Sequence, residues 1–275
     1  MCSGARAART TKRVRSESHR WPRRPDRAAT VADDDQSWGE VRSVRDRHPL
    51  DNPARSALLG PHAGLALRRG QVLRYPVDVC PFVALPDLPD EDAWRDAADL
   101  LGPGAVLPLA AVQPRPPSGW ETVFSLPGVQ LVDQQVHPQA DPDVVALGPA
   151  DVPEMLSLVE RTRPGPFLAR TVELGGYLGI RLDGKLVAMA GQRMRPPGWT
   201  EISAVCTDPE YRRRGLAGRL TRAVAADIRA RGDIPFLHTT ADNADAIRLY
   251  DQVGFRLRRR IEFTALRVPC PAPVG

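Results

Sequence analysis

The stretch YRRRGLAGRL, Tyr211 to Leu220, places three consecutive arginines ahead of Gly215-Leu216-Ala217-Gly218. A strand-like run and a proline-containing turn precede it, and a helical pattern follows. Amides at a helix start have no partner within the helix, and the helix dipole there favours an anion by about 0.3–1 kcal/mol. Gly215 removes the Cβ that would hold a phosphate away from the backbone, and Ala217 nearly does so. Arg212, Arg213 and Arg214 add cationic cover suited to a dianion. No GK[ST] follows and no GxGxxG is present, so this is neither a P-loop nor a dinucleotide fingerprint. A solvated arginine cluster at a helix cap is the plainer reading of the same residues. Downstream, Asn243, Ala246, Leu249, Tyr250, Gly254 and Phe255 form the spaced pattern N-x-x-A-x-x-L-Y-x-x-x-G-F.

These residues need a scaffold, and the pattern around them supplies one. VVALG reads as a strand. DVPEMLSLVERT reads as a helix with Asp151 as its N-cap and Glu154 completing a capping-box variant. GYLGIRL and KLVAMAGQRM flank Asp183-Gly184, a pair suited to a type I′ hairpin turn. WTEISAVCT is a further strand. Leu216, Leu220, Val224 and Ile228 then mark one face of a helix, with Arg219, Arg222 and Arg229 opposite. IPFLHTT reads as a buried strand, NADAIRLYDQVG as a short helix between Asn243 and Gly254, and FRLRRRIEFTALRV as one or two strands. The expected order is β-α-β-β-β-α-β-α-β-β, an α/β layer.

With both motifs in this order and at this separation, the sequence resembles the GNAT superfamily of acyl-CoA N-acyltransferases. The pyrophosphate loop of that family reads (Q/R)-x-x-G-x-(G/A), matched by Arg212, Gly215 and Ala217, and the resemblance covers roughly residues 144–268. It implies an α/β GNAT fold, a mixed and mostly antiparallel sheet flanked by helices. It also implies acetyl-CoA as cosubstrate, held between splayed strands at 200–207 and 235–240. Backbone groups of Val205, Cys206 and Thr207 would meet the pantetheine arm. The loop Arg212 to Gly218 would seat the pyrophosphate through the amides of Arg213, Arg214, Gly215, Leu216 and Ala217. Asn243 would reach the pantetheine, or serve only as a helix cap.

Transfer of an acetyl group from a thioester to an amine in a ternary complex requires a neutral amine and a protonated or stabilised leaving thiolate. For a lysine-like amine at pH 7 the first condition costs about 4 kcal/mol, and for an α-amine far less. Tyr250 stands where the family places its general acid; the alternative is a core tyrosine. Glu201 stands where some members place a base, and burial beside the acyl group would raise its pKa; the alternative is an edge glutamate facing solvent. His238 reads as a satisfied core histidine. Cys206 reads as a small buried residue, because a covalent role would need a paired base. The acceptor is expected to be a small-molecule or peptide amine. A rival reading is a regulatory module that binds acyl-CoA without turnover.

Composition bounds the rest. The chain of 275 residues carries a net charge of +5, but residues 1–27 alone carry +7, so the remainder sums to −2. The basic excess therefore belongs to the N-terminal end, and a nucleic-acid partner is not expected. Four separated cysteines form no CxxC pair and the five histidines are scattered, so no metal is expected. No apolar run approaches the ~18 residues that span a bilayer, and no secretory pattern is present, so no membrane partner and a cytoplasmic location are expected. Residues 1–40 read as a disordered Arg-rich tail, residues 41–140 as an N-terminal accessory domain, and residues 144–275 as the acetyltransferase domain. The run HPLDNP…GPHA…LRYP…PFVAL also resembles the degenerate GNAT-like N-terminal half of a bacterial predicted-acetyltransferase subgroup.

Overall fold

Hairpin geometry sets the centre of the sheet. Strands β7 (Tyr177–Leu182) and β8 (Lys185–Gln192) meet at Asp183 and Gly184, whose φ values of +50° and +79° are those of a type I′ turn. The computed structural model describes residues 48–270, and the expectation for residues 1–40 lies outside them. Antiparallel to β8 runs β9 (Trp199–Thr207), and parallel to β9 runs β10 (Ile234–Thr240). The crossover is helix α4 (Leu216–Ala230), which buries Leu216, Leu220, Val224 and Ile228 as the four-residue spacing requires. Helix α5 (Ala244–Val253) starts where Asn243 Oδ1 accepts the Ala246 amide at 3.2 Å. It stops at Gly254, whose φ is +115° and whose Cβ, if added, would lie 2.4 Å from the Gln135 carbonyl.

The C-terminal run forms one long strand, β11 (Phe255–Arg267), and its neighbour comes from the other end of the chain. Strand β5 (Glu121–Asp133) lies between β10 and β11, and β4 (Val106–Ala110) flanks β11 on its outer edge. With β6 (Val144–Leu147) beyond β7, the order is β4-β11-β5-β10-β9-β8-β7-β6. All contacts are antiparallel except β9 with β10. This corrects the division of residues 41–140 from 144–275. The compositional boundary falls in a loop between two strands of one sheet, because apolar β5 fills the gap that unpaired edges of β10 and β11 would leave. The described residues belong to a single compact unit.

On one face of the sheet, α4 and α5 close a core with Val129, Leu131, Ile202, Leu237, Tyr250 and Phe255. On the other, helix α3 (Val152–Thr162) packs Met155 and Leu158 against Tyr177, Met189, Ala204 and Cys206. Beside it lies the N-terminal segment, with helices α1 (Pro53–Leu59) and α2 (Glu91–Leu101) and a small sheet of β1 (Leu67–Arg69), β2 (Val72–Arg74) and β3 (Val83–Ala84). Tyr75, Cys80 and Phe82 from this segment bury against Leu174 and Met194. The expected capping box of α3 is not formed. Asp151 accepts the Gly148 amide and pairs with Arg181, while Glu154 accepts the Leu186 amide, so both carboxylates anchor the helix to its surroundings rather than cap it.

Candidate functional site

The pairing of β9 with β10 ends at Ile202 and Leu237, although β9 continues to Thr207 and β10 to Thr240. Beyond this point β10 stays with β5, so the two strands part. Where they part, β9 bulges. Met189 and Gly191 of β8 oppose Cys206 and Ser203, which gives β9 one extra residue, and Ala204 takes a φ of +53°. The backbone from Ser203 to Thr207 thus has no strand partner along its β10 edge. Val205, Cys206 and Thr207 all lie on this segment.

At its end lies the loop from Arg212 to Gly218 that opens α4. Arg213 and Gly215 have φ values of +63° and +74°, and the first helical bond of α4 runs from the Arg219 amide to the Gly215 carbonyl. The amides of Leu216, Ala217 and Gly218 precede that bond and lie outside the ladder, where helix-start amides are free to meet an anion. A Cβ on Gly215 would meet no neighbour, so the left-handed conformation itself is what requires glycine. The arginines are exposed around this loop: Arg214 stacks on the Tyr211 ring at 5.0 Å, and Arg212 Nε contacts the Thr207 carbonyl at 3.4 Å.

Tyr250 lies on α5, 7% exposed, with its ring against Phe255. Burial raises its pKa, and the electrostatic influence of Cys206 pushes the same way, so the phenol stays protonated. Burial likewise raises the Cys206 thiol to about 11, consistent with a buried residue and not a nucleophile.

Glu201 departs from the expectation. It is fully buried, and Arg193 grips both carboxylate oxygens at 2.8 and 2.7 Å. His238 Nδ1 lies 2.7 Å from Oε1, and the Met194 amide reaches Oε2 at 3.3 Å. Desolvation is the largest single influence and acts to raise its pKa, but the charge and hydrogen bonds of Arg193, with the hydrogen bond of His238, together outweigh it and hold the carboxyl at about 2. This corrects the expectation of a raised pKa, which considered burial alone. Nor does the carboxylate face solvent.

His238 is fixed from the far side. Arg258 donates to Gln130 Oε1 at 2.7 Å, so Gln130 must direct its Nε2 to the Leu50 carbonyl and to His238 Nε2, each at 2.9 Å. His238 Nε2 is therefore the acceptor and Nδ1–H donates to Glu201. Both ring nitrogens are occupied, as the core reading expected. Asn243 commits Oδ1 to its helix cap. Among the described residues there is no group of His, Cys, Asp and Glu that would hold a metal, and no helix long and apolar enough to cross a membrane.

Sequence reasoning missed Arg193 and Gln130, polar residues at a strand end and within a strand, positions that read as solvent-facing.

The proteins that this chain resembles include acetyltransferases. Residues 177–264 match the FR47-like protein family. The N-alpha-acetyltransferase RimI of Mycobacterium tuberculosis is 41% identical over 90 residues, covering 30% of this chain and 56% of that protein. An uncharacterized Mycobacterium leprae protein, ML0378, is 35% identical over 130 residues, covering 42% of this chain and 36% of its own length. The chain thus spans about half or less of these two curated relatives. A crystal structure of a GNAT-family protein from Novosphingobium aromaticivorans is 43% identical, covers 82% of this chain and all of its own, and superposes with a TM-score of 0.74. The GCN5-related N-acetyltransferase from Kribbella flavida, at 20% identity and a TM-score of 0.52, shares the fold over 80% of this chain and 96% of its own.

Proposed function

The chain belongs to the GNAT family of acetyltransferases, and on that premise we propose that it moves an acetyl group from acetyl-CoA to a primary amine by direct attack. The observation that carries the proposal is the parting of β9 from β10 at Ile202 and Leu237, continuous with the unpaired amides of Leu216 to Gly218. One groove thereby offers backbone partners for an amide-bearing arm and a seat for a pyrophosphate. In this reading Val205, Cys206 and Thr207 line the arm, Arg212 to Gly218 hold the phosphates, and the Asn243 Nδ2 left free by the cap reaches the pantetheine.

In the reaction the amine nitrogen bonds to the thioester carbon, the C–S bond breaks, and the proton lost by nitrogen ends on sulfur by way of Tyr250. Glu201 plays no proton-transfer part in this scheme. Arg193 and His238 saturate it, and we assign it to positioning β9. With that carboxylate withdrawn, the acceptor must arrive largely neutral. An α-amine, with a pKa near 7.7–8, meets this condition far better than a lysine side chain near 10.4. The match to an N-alpha-acetyltransferase supports the same class, an α-amine on a peptide or small molecule.

Calorimetric titration with acetyl-CoA at moderate salt tests the proposal. Micromolar binding is expected, together with a loss of at least tenfold in Gly215→Val, since that substitution forbids the left-handed seat. Silence up to millimolar acetyl-CoA would overturn it. Saturable binding with no turnover on any α-amine would favour an acyl-CoA-binding regulatory module.

A further inference from the structure

Glu201 and His238 flank the rung at which β9 leaves β10. The last pair is Ile202 with Leu237; Glu201 stands one residue before it on β9 and His238 one residue after it on β10. Their side chains meet across the rung at 2.7 Å. His238 also lies opposite Gln130 in the register of β10 with β5, so backbone and side chain join the same two residues. On β11, Arg258 falls where the register with β5 shifts between Leu257 and Arg259, and this bulge frees it to reach Gln130 Oε1. Its Nη2 donates to Asp51 Oδ1 at 2.7 Å. At the opposite end Arg193, just past β8, grips Glu201 and lies 5.0 Å from the centre of the Phe82 ring. A line of polar side chains thus crosses β9, β10, β5 and β11 at the level of the fork. Glu201 and Gln130 are fully buried, and the His238 side chain is 1% exposed.

Buried charges and amides stabilise only when every partner is in place, so apolar side chains would hold these strands together at less cost. The polar line tolerates a single arrangement. Apolar neighbours repack when strands slip, but a slip of β9 against β10 would leave Glu201, Arg193 and His238 unpaired in the core. Gln130 is the centre of the line: its oxygen takes Arg258, and its nitrogen, turned the other way, decides which ring nitrogen of His238 faces Glu201. We propose that Gln130 is a positioning residue for acetyl transfer. By way of His238 and Glu201 it fixes the rung at which β9 parts from β10, and with it the spacing across the groove between β9 and Tyr250 on α5. The N-terminal part of the chain thereby enters the reaction without touching a reactant. The assignment of a role in transfer rests on the acetyl-CoA reading above.

The test uses Gln130→Met, similar in volume but without the amide, at a temperature well below its melting point, where lost stability alone changes neither binding nor turnover. Hydrogen exchange of the ligand-free protein should be at least tenfold faster at the amides around Ile202 and Leu237, with the β7–β8 hairpin exchanging as in wild type. With acetyl-CoA and a pool of tetrapeptides bearing free α-amines, kcat should fall about 10²-fold, the scale of a misplacement of about 1 Å. Calorimetric affinity for acetyl-CoA should stay within about threefold, because the β9 edge and the α4 loop lie on one side of the fork. Arg258→Met, altered at the far end of the line, should give the same pattern with about a tenfold loss of kcat, and it decides alone if Gln130→Met does not fold. Unchanged exchange at the fork, kcat within about twofold of wild type, or equal losses of kcat and affinity would overturn the assignment. A wild type inert with acetyl-CoA and every peptide would instead overturn the acetyltransferase reading, while exchange at the fork would still decide whether Gln130 sets the parting of the strands.

Discussion

Tyr250 and Glu201 show how the same physical effect, burial, gives opposite results in different company. Around Tyr250 burial meets no cation and raises the phenol, which suits an acid held ready for a leaving thiolate. Tyr250→Phe should lower kcat about 10²–10⁴-fold with acetyl-CoA affinity nearly unchanged, as read from steady-state kinetics and calorimetry. A variant that kept most of its turnover would remove Tyr250 from the mechanism. Around Glu201 burial is outweighed by Arg193 and His238. Glu201→Gln should therefore lose about 3–5 kcal/mol of stability at pH 7 in urea unfolding, because Arg193 is left buried with its charge uncompensated. A carboxylate with a depressed folded pKa stabilises above its ordinary value of about 4.5 and loses that contribution as pH falls toward about 2, so the gap between the two proteins should narrow over that range. The position of Glu201 was legible from its place on the strand. Its state was not, since Arg193, His238 and Met194 come from other strands or strand ends, and only pairing register brings them together.

At the scale of elements, local chemistry was readable wherever one residue type alone satisfies the backbone. Asp183-Gly184 marked the hairpin, Asn243 and Gly254 bounded α5, and Gly215 marked the loop ahead of α4. What local pattern did not reveal was the bulge at Ala204, where a left-handed alanine sits in a run that reads as an ordinary strand. The β7–β8 hairpin makes its own prediction. Gly191→Ala drives a methyl group into the Tyr177 ring, and overpacking of this kind costs about 1–3 kcal/mol. Chemical unfolding should show that loss, and Tyr177→Leu in the same chain should recover part of it by removing the ring. If Gly191→Ala is as stable as wild type, the ring has room to move and does not depend on this glycine.

For the whole molecule, composition suggested a break near residue 140 that the sheet does not honour. Proline and glycine cluster there because the chain crosses a surface loop, which is a property of turns as much as of domain boundaries. The consequence is measurable: residues 144–275 expressed alone should give no cooperative thermal transition by circular dichroism, having lost β5 from between β10 and β11. A soluble fragment that melts cooperatively would show that β11 closes on β10 unaided. The same strand also fixes an order of assembly. Glu121 pairs with Arg267 and Val132 with Phe236, so the ladders that finish the sheet join distant parts of the chain. Contacts of such separation slow folding, because loop-closure entropy comes before any reward in pairing. During synthesis β5 emerges long before either neighbour, and its second edge stays unpaired until β11 has left the ribosome. Maturation of this acetyltransferase fold is thus tied to completion of its last strand.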